Sequence, residues 1–153
     1  MGREIERKFL VKDDRWRTGE GKRYRQGYLS RDKERTVRVR TVGDQGYLTI
    51  KGLAEGASRL EFEYEIPVAD ANELLDDLCA KPLIEKNRCE VEYGGMIWEV
   101  DEFFGENAGL IVAEIELQSE DQPFPKPPWL DREVTGDPRY FNASLSRHPF
   151  STW

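Results

Sequence analysis

Hydrophobic and polar residues alternate along most of the chain, and a period of two is typical of β-strands that bury one face. In the segment 59–66, Leu60, Phe62 and Tyr64 alternate with glutamates. Turn-forming residues separate the alternating runs, as at Gly94-Gly95. The pattern predicts about eight strands, at residues 4–11, 24–30, 36–41, 47–51, 59–66, 83–93, 96–103 and 110–117.

Short helices are predicted in two places. Residues 70–78 carry an apolar stripe, and Asp70 and Glu73 have the spacing of a capping box. Asp137-Pro138 predicts an N-cap followed by proline at the first helical position, with a helix over residues 139–146. Between them, the Pro-rich residues 122–129 cannot continue a sheet.

The polar faces of the predicted strands carry charges that mostly come as doublets of one sign, two residues apart. The acidic members are Glu4, Glu6, Glu61, Glu63, Glu99, Asp101, Glu114 and Glu116. The basic members are Lys8, Arg38, Arg40, Lys51, Lys86 and Arg88. A solvated sheet face accounts for any single doublet. It does not account for the whole set, because like charges this close repel each other and an ordinary surface gains nothing from repeating them.

A closed barrel would resolve this repulsion. About eight antiparallel strands can close around a lumen that is wide enough for one small ligand. Carboxylate doublets in the lumen suit Mg²⁺ or Mn²⁺, and arginine and lysine doublets suit phosphate oxygens. The ligand that meets both demands is a polyphosphate chelated to a divalent metal.

Composition narrows the range of partners. With 153 residues and a mass of 17.8 kDa, we expect a single domain over residues 1–153. The net charge of -7 argues against general nucleic-acid binding, which prefers a basic surface. The two cysteines form no CxxC motif, and we see neither an apolar run of transmembrane length nor a signal peptide. We therefore expect no membrane partner and a cytoplasmic location.

Motifs along nearly the whole chain, in order, resemble the CYTH superfamily, the triphosphate tunnel metalloenzymes. Glu4, Glu6 and Lys8 match the ExExK hallmark of that family near the N-terminus. The other matching segments are Gln26-Gly27-Tyr28-Leu29, Arg38-x-Arg40, Thr49-Ile50-Lys51, Arg59-x-Glu61-x-Glu63, Lys86-x-Arg88, Asp101, Glu114-x-Glu116 and Glu133-Val134-Thr135-x-Asp137-x-Arg139-Tyr140-x-Asn142.

The resemblance implies an all-β fold with a few helices (α+β). Its centre is an eight-stranded antiparallel closed barrel that forms a charged tunnel. The C-terminal helix lies at one end of the tunnel, where we expect Arg139 or Tyr140 to reach inward. Members of the family hydrolyse or cyclise triphosphates with divalent metals.

The resemblance also implies roles for single residues. The triphosphate would be held by Lys8, Arg38, Arg40, Lys51, Lys86 and Arg88. Metal would be held by Glu4, Glu6 and Glu116, with Glu61, Glu63 and Glu114 near a second ion and Asp101 as a further acid. In similar short bacterial members, the residues at Lys51 and Tyr28 are proposed to activate the attacking water. For Lys51, a plain phosphate ligand is the alternative.

The predicted function is that of an inorganic triphosphatase, which cleaves tripolyphosphate to pyrophosphate and phosphate with Mg²⁺ or Mn²⁺. The alternatives within enzymes are a class IV-type adenylate cyclase and a thiamine triphosphatase. From a different class, the domain would bind polyphosphate or nucleotides without turnover. Because related domains are often dimers, a homodimer is a further expectation.

Overall fold

A computed structural model describes residues 2–153 and shows a closed antiparallel barrel. Nine strands are present in these residues: β1 (Gly2–Val11), β2 (Lys22–Ser30), β3 (Arg35–Val42), β4 (Gln45–Gly52), β5 (Ser58–Ile66), β6 (Ile84–Tyr93), β7 (Met96–Phe103), β8 (Ile111–Glu116) and β9 (Leu130–Glu133). The prediction of an eight-stranded antiparallel closed barrel is confirmed for β1–β8, and β9 is an addition to it.

The barrel closes because β1 pairs on both of its edges. The strand order is β5-β4-β3-β2-β6-β7-β8-β1, and a further pairing joins β5 to β1. Glu4 lies opposite Arg59 of β5, while Glu6 and Lys8 lie opposite Glu116 and Glu114 of β8. The ExExK segment therefore contacts β5 on one edge and β8 on the other. Its charges lie beside the acidic residues of both strands.

The short strand β9 was not predicted. It follows the Pro-rich residues 122–129, which stay outside the sheet as expected. It pairs with the second half of β1, where Phe9 lies opposite Glu133 and Val11 lies opposite Leu130. Four residues are too few to show an alternating pattern, so only the neighbouring strand makes this segment extended.

The outer faces of the strands are apolar, and most of the barrel wall is covered. On one side Trp98 makes edge-to-face contacts with Phe9, Phe124 and Trp129, at ring-centroid distances of 5.6, 5.7 and 5.9 Å. On another side Ala71 and Leu75 pack with the buried Val39. The apolar positions of the strands thus face outward into covering segments, and the charged positions face the lumen.

Both helical predictions are right in position and wrong in detail. The first helix, α1, spans Val68–Glu73 and continues as a π-helical turn at Leu74–Leu78. Its N-cap is Pro67 and no side chain caps it, so the capping box of Asp70 and Glu73 is not formed. The proline ends β5 and starts the helix two residues earlier than the pattern indicated.

The C-terminal helix is divided in two. Asp137 caps a 3-10 turn at Pro138–Tyr140 through a bond from the Arg139 backbone N–H, as predicted. Phe141 is extended, with ψ 135°, and the α-helical turn α2 (Asn142–Leu145) follows it. Residues 141–144, which begin at this break, line the lumen. No helix within residues 2–153 has the length and apolar character that crossing a membrane would require.

Candidate active site

The lumen of the barrel is a cavity of about 1000 Å³. The predicted site residues that line it are Glu4, Glu6, Lys8, Tyr28, Arg38, Arg40, Lys51, Glu61, Glu63, Lys86, Arg88, Glu114 and Glu116. Asp101 is the predicted site residue that is not among the lining side chains. The structure therefore brings together charges from β1 to β8 that lie far apart in sequence.

Asp101 is instead buried beneath two of the predicted phosphate-binding residues. It has no exposed surface, and its Oδ2 accepts from Lys86 Nζ at 2.8 Å. Arg88 donates to both carboxylate oxygens, at 2.7 and 2.9 Å. Burial alone would raise the pKa of Asp101, but Arg88 and Lys86 outweigh burial and lower it. Both oxygens accept from cations, so we expect Asp101 to act as their counter-ion, and its metal-ligand role stays a prediction.

Lys86 is held in the wall with almost no exposed surface. Burial, opposed by Asp101 and reinforced by Arg88 and Arg40, lowers the pKa of Lys86 to about 7. Arg40 is similar, since burial and its neighbours Arg38 and Arg88 lower its pKa to about 10. Cations crowded together in a low-dielectric wall lower one another's pKa, and an anion would be stabilised beside them.

Arg38 lies in the same wall, and in the described part of the chain one N–H group of its guanidinium is free to bind a ligand. Its Nη2 donates to Thr49 Oγ1 at 3.2 Å and lies 3.6 Å from Glu63 Oε1. Its buried Nε has no hydrogen-bond partner among residues 2–153. A buried, unsatisfied guanidinium N–H costs free energy, and a ligand oxygen would satisfy it.

Carboxylates gather on β1 and β8, on a different part of the lumen wall. Glu6 and Glu116 are cross-strand partners, and Glu114 lies in the next inward-facing position of β8. Burial and then Glu6 raise the pKa of Glu114 to about 7. Burial, together with Glu4, Glu61 and nearby Glu99, also raises the pKa of Glu116. Raised pKa values of this kind indicate carboxylates whose mutual repulsion is not fully compensated.

This donor set fits a hard divalent cation in its chemistry. Mg²⁺ and Mn²⁺ prefer carboxylate oxygens, and such an ion would relieve the repulsion between Glu6, Glu114 and Glu116. As the side chains stand, however, no three His, Cys, Asp or Glu residues within residues 2–153 are arranged to hold a metal. One reason is visible at Glu4, whose two oxygens accept from Lys51 Nζ at 3.0 and 3.2 Å.

Lys51 lies among carboxylates. Besides Glu4, it lies 3.3 Å from Glu61 Oε2. Tyr28 is buried in the same cavity wall, but no hydrogen bond joins it to Lys51 in the described part of the chain. The pair that would activate water is thus present in one cavity without yet being in contact.

Three residues at the site had no predicted role, although Gln26 and Asn142 fall within the segments that resemble the family. Gln26 is fully buried and accepts from Arg40 Nε at 3.0 Å. Asn142 accepts from Gln26 Nε2 at 3.1 Å and from Lys86 Nζ at 3.2 Å. The Tyr24 ring lies between Arg40 and Arg88, each with its guanidinium carbon 4.9 Å from the ring centroid. All three are uncharged, so a search for charged doublets does not find them.

The C-terminal segment lies at the cavity, as predicted, but through other side chains. Phe141 and Asn142 line the lumen, and the Phe141 ring lies 5.5 Å from Lys8 Nζ. Arg139 is instead paired with Asp137 at 2.9 Å, and Tyr140 is buried in a core cluster with Val134 and Leu145. The expected inward reach of Arg139 or Tyr140 is wrong, because Arg139 pairs with Asp137 at the surface and Tyr140 packs into the core.

Comparison with known proteins assigns this barrel to a family. The model of the CYTH domain matches residues 2–148. The chain belongs to the CYTH domain family. An inorganic triphosphatase from Acetivibrio thermocellus is 55% identical over 154 aligned positions, which cover 100% of this chain and 99% of that protein. An inorganic triphosphatase from Nitrosomonas europaea is 38% identical over an alignment that covers 94% of this CYTH protein and 96% of that protein.

A solved structure agrees with the sequence relatives. The crystal structure of an inorganic triphosphatase matches this CYTH domain with a TM-score of 0.66 and 35% identity. The match covers 93% of this chain and 96% of that one. The similarity thus extends over the whole barrel and includes the strands that carry the lumen charges.

Proposed function

We propose that this CYTH protein is an inorganic triphosphatase, which hydrolyses tripolyphosphate to pyrophosphate and phosphate. The observation that carries the proposal is the lumen itself, where buried cations and repelling carboxylates face a single cavity of about 1000 Å³. The relatives described as inorganic triphosphatases, at 55% and 38% identity, support the same reaction.

The cations of the lumen would hold the substrate. They are Lys8, Arg38, Arg40, Lys86 and Arg88, with Lys51 nearby. Arginine binds phosphate oxygens in a bidentate manner and lysine acts as a point charge, so the set neutralises a chain of phosphates. The unpartnered Nε of Arg38 is one donor that a phosphate oxygen would satisfy.

The reaction depends on a divalent cation in this proposal, Mg²⁺ or Mn²⁺. The residues that would hold it are Glu4, Glu6 and Glu116, with Glu61, Glu63 and Glu114 near a second ion. When bound, the metal neutralises charge on the phosphoryl oxygens. Asp101 is assigned as the buried counter-ion of Lys86 and Arg88, because both of its oxygens are already engaged.

Lys51 and Tyr28 would orient and activate the attacking water. Lys51 has to leave Glu4 and Glu61 to do so, and a cation that occupies those carboxylates would release it. If Lys51 acts as a base, the alkaline limb of the rate profile disappears in Lys51→Ala and Tyr28→Phe. An unchanged profile in both variants would leave Lys51 as a phosphate ligand.

A substrate panel tests the proposal. The purified protein is incubated with tripolyphosphate, ATP and thiamine triphosphate, each with Mg²⁺, Mn²⁺ or EDTA, and the products are identified. We expect tripolyphosphate to be cleaved fastest, EDTA to abolish turnover, and Glu4→Gln and Glu6→Gln to lose activity while staying folded. Cyclic AMP as the main product from ATP would overturn the assignment in favour of a cyclase, and binding without turnover would indicate a non-catalytic domain.

We also propose that a second copy of the chain covers the bare outer wall of β4 and β5. Ile50, Leu60, Phe62 and Tyr64 are exposed there by 38, 47, 38 and 57%. At roughly 150–250 Å² for a large side chain, the patch amounts to about 300–400 Å². Two copies would bury roughly 600–800 Å² of apolar surface, approaching the apolar share of a standard interface. For the location, the cytoplasm remains our proposal.

A further inference from the structure

We infer that Asn142 is a positioning residue for the phosphate-binding cations, an inference that rests on the proposed triphosphatase function. Asn142 belongs to α2 in the C-terminal segment, while Lys86 and Arg40 belong to the barrel wall. A chain of part-buried hydrogen bonds connects the three, and it makes the C-terminal segment a part of the substrate site.

The chemistry of the partners sets the direction of every bond in this chain. Arg40 and Lys86 are donors only. Gln26 therefore presents Oε1 to Arg40 Nε, at 3.0 Å, which leaves its Nε2 to donate to Asn142. Asn142 Oδ1 accepts that bond and a second from Lys86 Nζ, at 3.1 and 3.2 Å. Neither amide can flip without facing a donor toward a cation.

The remaining bonds extend the same network to a third cation. Lys86 also donates to Asp101 at 2.8 Å, and Asp101 accepts two bonds from Arg88. The order Arg40–Gln26–Asn142–Lys86–Asp101–Arg88 therefore links three predicted phosphate ligands through two amides and one carboxylate. Gln26, Lys86 and Asp101 are at most 1% exposed, while Asn142 and Arg40 are half-buried and line the cavity.

Two uncharged acceptors suit this position better than two more acids would. Cations that must bind a polyanion lose attraction for it if each is neutralised by a carboxylate. An amide oxygen holds the donor in place and leaves its charge available. The single Asp101 is shared between Lys86 and Arg88, and the amides of Gln26 and Asn142 supply the other acceptors.

The test compares Asn142→Leu, which keeps the approximate size and removes the acceptor, with the wild type. We expect the KM for tripolyphosphate to rise roughly tenfold or more. Without Asn142 Oδ1, both Lys86 Nζ and Gln26 Nε2 lose the oxygen that accepts their hydrogen bonds. The kcat should change by less than about threefold, since neither Lys51 nor Glu4 is part of the network. The matched control is Asn72→Leu, at an exposed position of α1 outside the cavity, which should leave both constants unchanged.

A double-variant cycle separates positioning from a general loss of structure. Gln26→Met breaks the same chain of bonds, so the combined variant should raise KM about as much as the larger single change. Fully multiplicative effects, or a KM within about twofold of the wild type in Asn142→Leu, would overturn the inference. If Asn142→Leu fails to fold, Asn142→Ala takes its place in the cycle.

Binding of tripolyphosphate, measured by calorimetry in EDTA, distinguishes this inference from the proposed reaction. A wild type that binds in EDTA and does not cleave tripolyphosphate when Mg²⁺ or Mn²⁺ is supplied contradicts the triphosphatase. In that case a roughly tenfold weaker affinity in Asn142→Leu still supports the positioning role, and an unchanged affinity contradicts it. A wild type that neither binds nor cleaves tripolyphosphate contradicts both.

Discussion

Single residues of this site have roles that depend on how each charge is compensated. Asp101 and Glu114 both belong to the alternating acidic pattern, and both are buried. Asp101 accepts from Lys86 and Arg88, so it is held ionised. Glu114 faces Glu6, with Lys8 opposite it on β1 and Arg88 Nη2 3.5 Å from its Oε1. Two carboxylates of the same pattern are therefore a counter-ion and a candidate metal ligand.

We predict that Asp101→Asn destabilises the fold without weakening metal binding. Removing the charge takes the carboxylate partner from buried Lys86 and leaves Arg88 paired with Glu99 and Glu114, and breaking a buried pair of this kind typically costs about 3–5 kcal/mol. Chemical denaturation measures the loss, and titration with Mn²⁺ measures the metal affinity. The control is Asp13→Asn, since Asp13 pairs with Arg15 at the surface and should matter little. A loss of Mn²⁺ affinity comparable to that of Glu6→Gln would return Asp101 to the metal ligands.

A second prediction at this scale is a minimum of stability near pH 7. The pKa of Glu114 is raised to about 7 in the folded protein. The stability that this shift contributes is present when the pH is below the pKa of Glu114 in the unfolded chain, and it is lost as the pH rises through 7. The pKa of Lys86 is lowered, also to about 7. The stability that this shift contributes is present when the pH is above the pKa of Lys86 in the unfolded chain, and it is lost as the pH falls through 7. Near pH 7 both contributions are largely absent.

Urea denaturation between about pH 5.5 and 8.5 checks this minimum. We expect the free energy of unfolding to fall toward pH 7 from both sides, by on the order of 1 kcal/mol per titrating group. Glu114→Gln should remove the slope on the acid side, and Lys86→Met the slope on the alkaline side. A wild-type profile that is flat over this range would show that neither group titrates as expected.

At the scale of elements, the β6–β7 hairpin depends on the Pro-rich segment that covers it. Gly94 and Gly95 form its turn with φ of 60 and 82°. A Cβ added at Gly94 would overlap the Pro125 ring, whereas nothing lies within 4 Å of one added at Gly95. The turn therefore accepts residues 122–129 only if its first glycine lacks a side chain.

We predict that Gly94→Ala costs more stability than Gly95→Ala. Both changes place alanine at a positive φ, which costs about 1 kcal/mol. Gly94→Ala also displaces Pro125 and should add roughly 1–2 kcal/mol. Denaturation midpoints of the two variants give the comparison, with Gly95→Ala as the matched control. Equal losses in the two variants would mean that the Pro-rich segment moves away at no cost.

At the scale of the whole molecule, the bare wall of β4 and β5 predicts a homodimer. Phe62 and Ile50 are cross-strand partners at the centre of that wall. Phe62→Glu would place a charge in the interface and should convert a dimer to a monomer, as measured by light scattering after gel filtration. Ile97→Glu, at another exposed apolar position, is the control and should leave the mass unchanged. A monomeric wild type at high protein concentration would contradict the proposal.

The sequence by itself determined the eight strands of the barrel and most of the charged lumen positions. Alternation is a local property of a strand, because neighbouring side chains point to opposite faces wherever the strand lies. The doublets of β1, β3, β6 and β8 could therefore be assigned to one face without knowing the fold. The repeated doublets indicated a closed barrel, and the motif resemblance then led to the family that the comparisons confirm.

Only the tertiary structure decided which charges meet. Lys51 reaches Glu4 across 47 positions of sequence, and Lys86 reaches Asn142 across 56. Such pairs depend on strand register and on the break at Phe141, which no local pattern contains. Burial depends in the same way on the complete barrel, so the counter-ion role of Asp101 and the bridge through Gln26 and Asn142 became visible only once the strands had closed.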